Sequence, residues 1–218
     1  QGSRAQWLGP DFKDHIIYNK FIDGQLCSII KNIESGKEKI INNPIFSVSK
    51  DGKKAVSFDY SRLAQCRKSY SYANLDKVPF KAGPRYGEGI ISIDLLTGKY
   101  RETLNIKQLL NIKPIPSMKT GFHWVDSPFL SPSGNTIFFL HRWTINAGFY
   151  SRIYSMDFNG TNLELVLDSG TANHMTVIDD NEIIFDGVHE KSLNRFKKYS
   201  ILTKIYRYIF PFYQKFIL

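Results

Sequence analysis

Three hairpin signals of one kind stand at a fixed distance along this chain: Glu34-Ser35-Gly36-Lys37, Leu96-Thr97-Gly98-Lys99 and Phe158-Asn159-Gly160-Thr161. Sixty-two residues separate Gly36 from Gly98, and again Gly98 from Gly160. A constant period marks a repeat architecture, in which each unit is one small supersecondary structure stacked on the next. A second turn type precedes the first, as Lys50-Asp51-Gly52-Lys53 and Pro132-Ser133-Gly134-Asn135, with weaker echoes at Gly9-Pro10-Asp11 and Asp179-Asp180-Asn181. The two types lie 26 residues apart from Pro10 to Gly36 and from Gly134 to Gly160, but 46 apart from Gly52 to Gly98. The middle unit therefore carries about 20 extra residues.

The segments between these turns are rich in β-branched and aromatic residues, which favour strands. Each unit reads as four strands, A to D, with the first turn joining A to B and the second joining C to D. The predicted strands are 5–8, 15–21, 26–33 and 38–41, then 45–49, 54–60, 89–95 and 100–105, then 128–131, 137–141, 153–158 and 163–167. A fourth unit begins with 175–178 and 182–185. Four strands in roughly forty-five residues is the size of one propeller blade. The expected fold is all-β: a β-propeller of four-stranded blades, incomplete at about three and a half blades. Residues 1–189 form the partial propeller and 190–218 a basic amphipathic tail. An arc of this size does not close a ring of usual blade number, so the chain is expected to self-associate or to meet a partner through its open edge.

The formal net charge is +9, and it is unevenly placed. Residues 190–218 hold +6 of it, leaving +3 on the propeller body. A body with so little excess charge and no basic stripe argues against nucleic acid as a partner. In the tail, Leu193, Phe196, Leu202, Ile205, Tyr206, Ile209 and Phe210 follow helical spacing, with Lys and Arg on the other face. Such a helix suits two roles: cover over an unfinished sheet edge, or contact with an anionic membrane surface. Cys27 and Cys66 form no disulfide framework and are read as free thiols, which leans towards a cytoplasmic setting without fixing the compartment.

The repeat sorts the chemistry-bearing residues by end. B–C loops and D-to-A connections share one rim, so His123, His141, His174 and His189 are expected there, along with the long insert 61–88. His15 belongs to the opposite rim. Arg62, Arg67, Arg85 and Arg142 on this rim offer guanidinium forks for carboxylates, and Tyr70, Tyr72, Tyr86, Trp124 and Trp143 offer flat faces for sugar rings. Two readings stay open for each kind of residue. The histidines are either metal ligands or hydrogen-bonded structural groups, and the loop aromatics either contact a ligand or pin the loop to its blade.

The Ser131-Pro132-Ser133-Gly134 turn with its aromatic strand, and the run Arg152-Ile153-Tyr154-Ser155-Met156-Asp157, resemble the TolB-type propeller repeat over most of residues 6–187. Phe138-Phe139-Leu140-His141, followed by Arg152-Ile153-Tyr154 and then by Asn173-His174 ahead of Asp179-Asp180, is similar to the oligogalacturonate lyase group of these propellers. That resemblance implies histidines on the axial rim holding a divalent metal such as manganese, and an arginine acting as base in β-elimination from uronic-acid sugars. Carried onto this sequence, it matches His141 and His174; with His123 from the same rim these are the candidate metal ligands, and Arg142 and Arg62, chosen from their place on the rim, are the candidate catalytic arginines. On the chemistry of the rim, Arg67, Tyr70, Tyr72, Arg85, Trp124 and Trp143 are the candidate contacts to an acidic oligosaccharide. Where that group continues with Glu-Gly-Pro, this chain has Arg142-Trp143-Thr144. The alternative is a non-catalytic propeller that binds a glycan or a protein through the same rim.

Overall fold

The computed structural model describes residues 3–73, 75, 89–145 and 148–187. Arg85, Tyr86, His189 and the tail 190–218 lie outside the described residues, as does most of the insert beyond residue 73.

Three four-stranded antiparallel sheets follow one another, each with its strands in sequence order. The first blade comprises β1 (Gln6–Trp7), β2 (His15–Ile22), β3 (Gln25–Asn32) and β4 (Glu38–Ile41). The second comprises β5 (Ser47–Val48), β6 (Lys54–Phe58), β7 (Ile90–Asp94) and β8 (Tyr100–Leu104). The third comprises β9 (His123–Leu130), β10 (Thr136–Ile145), β11 (Gly148–Asp157) and β12 (Glu164–Leu167), and a two-stranded start of a fourth follows as β13 (Met175–Val177) and β14 (Ile183–Phe185). This is the propeller arrangement that the turn spacing implied. Gly36, Gly98 and Gly160 occupy equivalent C–D hairpins, each at positive φ (69°, 74° and 87°). Their N–H groups donate to the carbonyls of Asn32, Asp94 and Asp157 respectively.

Successive blades bury apolar faces against one another. Ile17, Ile41, Ile45, Ala55, Ile93 and Leu95 fill the first seam. Val56, Phe58, Ile137, Phe139, Tyr154 and Met156 belong to the second, and Phe138, Leu140, Ile153, Ala172 and Met175 to the third. A fully buried aliphatic or aromatic side chain contributes about 1.5–3 kcal/mol, so these seams are the main force holding blade to blade. Cys27 and Cys66 are both free. Burial pushes the Cys66 thiol up to about 12, which makes it a packing group and a poor nucleophile.

Two helices interrupt the strand pattern where the sequence predicted loop. α1 (Tyr60–Cys66) opens the long insert, its first turn capped by Asp59, whose carboxylate accepts from the Ser61 and Arg62 N–H groups. α2 (Ile106–Leu110) follows β8 behind an Asn105 cap, with Gln108 returning a hydrogen bond to the Asn105 N–H. A 3₁₀ turn, Pro116–Lys119, then leads into β9. The third blade also departs from expectation, because its strands run past the predicted ends. Thr144 pairs with Phe149, Trp143 with both Tyr150 and His123, and Arg142 with Trp124. Aromatic and β-branched side chains facing each other across the ladder extend it. His123, His141, Arg142 and Trp143 are consequently strand residues in the upper blade, whereas the sequence placed them at strand ends or in loops. Among the described residues, no helix is long and apolar enough to cross a membrane.

Candidate functional site

Alternation along β10 divides the upper third blade into two polar clusters. His141 and Trp143 turn to the side of the second blade; Leu140 and Arg142 turn to the side of β13.

On the first side, the His123 Nε2 lies 2.8 Å from the Met118 carbonyl, and its Nδ1 lies 2.9 Å from His141 Nε2. A carbonyl only accepts, so His123 carries its proton on Nε2, its Nδ1 accepts, and His141 Nε2–H donates. Both rings are buried and stacked, with Trp143 over His123 at a centroid distance of 5.6 Å. Burial lowers the pKa of His123. It takes His141 well below the ordinary histidine value, with charge on His123 or Arg152 adding to the effect. Trp143 Nε1–H donates to Ser117 Oγ at 3.0 Å. Arg152, fully buried, makes a bidentate pair with Asp168 at 2.8 and 3.0 Å and also donates to the carbonyls of Ile112 and Lys113. The bonds to Met118, Ser117, Ile112 and Lys113 tie segment 112–119 to the blade. The cluster is a structural clamp, and its histidines fit the hydrogen-bonded reading.

His174 lies elsewhere. Its side chain is 76% exposed and its Nδ1 sits 3.1 Å from Asp186. Among the described residues, no group of three His, Cys, Asp or Glu side chains is placed to hold a metal ion. The expected centre of His123, His141 and His174 is therefore corrected: both nitrogens of His123 are committed inside the fold, while His174 is a surface residue. The residues present do not fit a manganese-type centre built on these three imidazoles.

On the second side, Arg142 is held from four directions. It donates to Asp126 at 2.7 Å, to the Asn173 carbonyl and side-chain oxygen at 3.1 and 2.9 Å, and to Ser151 Oγ at 3.3 Å. Burial lowers its pKa, and Asp126 acts in the opposite sense. A guanidinium so engaged is a tie between third and fourth blades, and while it is protonated it has no lone pair with which to act as a base. Arg62 is likewise buried: its Nε donates to the His123 carbonyl, and its guanidinium lies over the Phe122 ring at 4.5 Å. Tyr72 accepts from Asn19 at 2.9 Å and packs edge-on to Tyr60, pinning the insert to the first blade. Trp124 and Trp143 are core residues.

Arg67 and Tyr70 are placed differently. Arg67 follows α1, its side chain is 16% exposed, and it approaches the same oxygen of Asp126 at only 3.5 Å. Tyr70 lies 3.7 Å beneath its guanidinium, and Phe149 flanks both Arg67 and Arg142 at 5.2 and 4.9 Å. Tyr70 and Phe149 are both exposed. Two guanidinium groups thus share one carboxylate between two accessible aromatic rings, and the described part of the insert lies over the His123 end of β9, as the strand order implied. Sequence reasoning passed over Asp126 and missed Phe149. The available signal was an ionisable residue inside the apolar strand His123–Leu130, where a buried carboxylate needs a cationic partner.

These features define a β-propeller of four-stranded blades, with arginine and aromatic side chains gathered as a candidate site at one rim of the third. No family model matches the sequence, and no curated protein matches it either. Among solved structures, an oligogalacturonate lyase in complex with manganese is similar, with a TM-score of 0.51 at 16% identity, over 82% of this chain and 44% of that one. TolB from Acinetobacter baumannii is similar with a TM-score of 0.48 at 17% identity, over 85% of this chain and 37% of that one. The chain thus spans less than half the length of either protein, and the likeness to the lyase is one of fold.

Proposed function

We propose that this chain binds an acidic, uronate-containing saccharide through the rim around Arg67, Tyr70 and Phe149, and that it does so without cleaving it. The observation that carries the reading is charge balance. Among the described residues, Arg67 and Arg142 face a single carboxylate, Asp126, which leaves one positive charge at a half-buried position between two exposed rings. A sugar carboxylate approaching Arg67 would complete the neutralisation with a charge-assisted fork, and Tyr70 and Phe149 would take the apolar faces of the ring. The fold likeness to an oligogalacturonate lyase supports the choice of uronate as ligand. Elimination is the weaker reading, because the arginines matched to a base, Arg142 and Arg62, are engaged in holding the fold.

Calorimetric titration with an oligogalacturonate, against a neutral oligosaccharide of equal length, tests the reading. The acidic ligand alone should bind, and Arg67→Ala should weaken binding roughly tenfold or more, the worth of one charge-assisted bond. Equal affinity for both ligands, or an unchanged Arg67→Ala variant, would remove the proposed site. Release of unsaturated uronate, followed by ultraviolet absorbance, would restore the lyase reading.

A further inference from the structure

A further arginine lies outside the cluster around Asp126. Arg4 leads into β1, at the end of that strand away from the A–B turn, as Phe46 does before β5. It is half-buried, and its guanidinium carbon lies 3.7 Å from the centroid of the Phe46 ring. Its Nη2 donates to the Phe46 carbonyl at 2.8 Å, while its Nε is buried with no hydrogen-bond partner. Among the described residues, no carboxylate lies within ion-pair distance of Arg4. A cation drawn partly out of water without a counter-charge is a place where an anion is stabilised. The backbone there is also unusual. Arg4 has φ 56°, in the left-handed region that a residue with a Cβ enters only when its surroundings hold it. Ser3 accepts from the Asn19 N–H at 2.6 Å, and Gln6 Nε2 donates to the Arg4 carbonyl at 3.2 Å, so the segment is fixed on both sides of Arg4.

A second donor stands within electrostatic reach. The Tyr72 oxygen accepts from Asn19 Nδ2, which leaves the Tyr72 O–H to donate elsewhere. The Asn19 amide is itself fixed, since Nδ2 also donates to the Ile45 carbonyl and Oδ1 accepts from the Ile45 N–H and the Ser28 hydroxyl. Burial raises the Tyr72 pKa, and the Asn19 hydrogen bond and the Arg4 charge act against that rise. Two observations connect this corner to the Arg67 cluster. Tyr60, whose pKa burial also raises, feels the charges of both Arg4 and Asp126. Phe46, against which Arg4 rests, meets Phe129 edge-on at 5.1 Å, and Phe129 belongs to the strand that carries Asp126.

We propose that Arg4 and the Tyr72 hydroxyl form a second anion subsite, which takes a further carboxylate of the same acidic saccharide whose first carboxylate meets Arg67. The assignment rests on the reading of the rim given above. The Arg4 guanidinium supplies a charge-assisted bond and the phenol a second donor. A single uronate engages one subsite at a time, whereas a chain long enough to reach both gains from the second contact as an intramolecular event.

Calorimetric titration of the full chain with galacturonate oligomers of increasing length, at fixed ionic strength, tests this. Affinity should step up about tenfold or more at the length that first spans both subsites. Arg4→Met keeps an apolar stem against Phe46 and removes the charge. It should abolish the step and leave the affinity of shorter oligomers within about twofold of the unsubstituted chain. Arg67→Ala should weaken oligomers of every length. Circular dichroism checks that the Arg4 variant keeps its sheet; if it does not, Tyr72→Phe, which removes only the hydroxyl, replaces it and should shrink the step. A smooth dependence on length, or a step that these substitutions leave intact, overturns the second subsite, and the Arg67 site then stands or falls on Arg67→Ala alone. Failure of every oligomer to bind overturns both.

Discussion

Arg152 and Asp168 show what a buried charge does in this molecule. The guanidinium is fully buried and spans from Asp168 to the carbonyls of Ile112 and Lys113. Removing the carboxylate alone leaves the cation without its counter-charge, so Asp168→Ala should lower stability by about 3 kcal/mol, read from urea denaturation. The histidine pair makes a second prediction, about pH. His123 and His141 are neutral in the fold with pKa values depressed by burial, so below the ordinary value near 6.5 the unfolded chain takes up protons that the folded chain refuses. Their contribution to stability is therefore constant above that pH and declines as pH falls through it, by up to about 1.4 kcal/mol per pH unit for each histidine. Denaturation curves at pH 7 and pH 5.5 check this, and His141→Phe should flatten the difference. Side-chain type was legible in the sequence at this scale, but employment was not. Arg142 and Arg67 are alike as letters. Only the register that sets Arg142 opposite Trp124, with Asp126 two residues on, decides which of them is consumed by the fold.

The hairpins that carry the repeat are local structures, and for that reason they were readable. A C–D turn needs one residue at positive φ, glycine supplies it without strain, and the requirement recurs at every blade. Two of these glycines nevertheless differ in what surrounds them. A methyl group on Gly98 would come no nearer than 3.7 Å to Ile41, whereas on Gly160 it would lie 2.6 Å from the Thr103 carbonyl oxygen of the neighbouring blade. Gly98→Ala should thus cost about 1 kcal/mol, the price of its backbone conformation. Gly160→Ala should cost clearly more, because the second blade must also give way. Parallel thermal denaturation of the two variants separates the effects. The helices were less readable: α1 is seven residues long, and its stability comes from the Asp59 cap and from Tyr60, Leu63 and Ala64 buried beneath neighbouring strands, none of which is a local propensity. The extension of β10 and β11 past their predicted ends was hidden for a similar reason, since the residues that extend them are partners across the ladder and distant along the chain.

Across the whole molecule, one end of the arc gathers turns and the other gathers chemistry. The A–B and C–D turns close the lower rim, while α1, Arg67, Tyr70 and Phe149 meet at the upper rim of the third blade. The propeller followed from turn spacing. The failure of the three histidines to meet followed from packing, because the paired strands β9 and β10 bury His123 and His141 within the fold while His174 stays on the surface. The most direct test of the upper rim as the saccharide site is amide hydrogen exchange of the full chain, with and without saturating oligogalacturonate. Protection should rise in segments 60–73 and 148–152, which bear Arg67, Tyr70 and Phe149, and stay level in the lower turns 49–54 and 131–136. Protection of the lower turns, or an exchange pattern that the ligand leaves unchanged, would contradict the account.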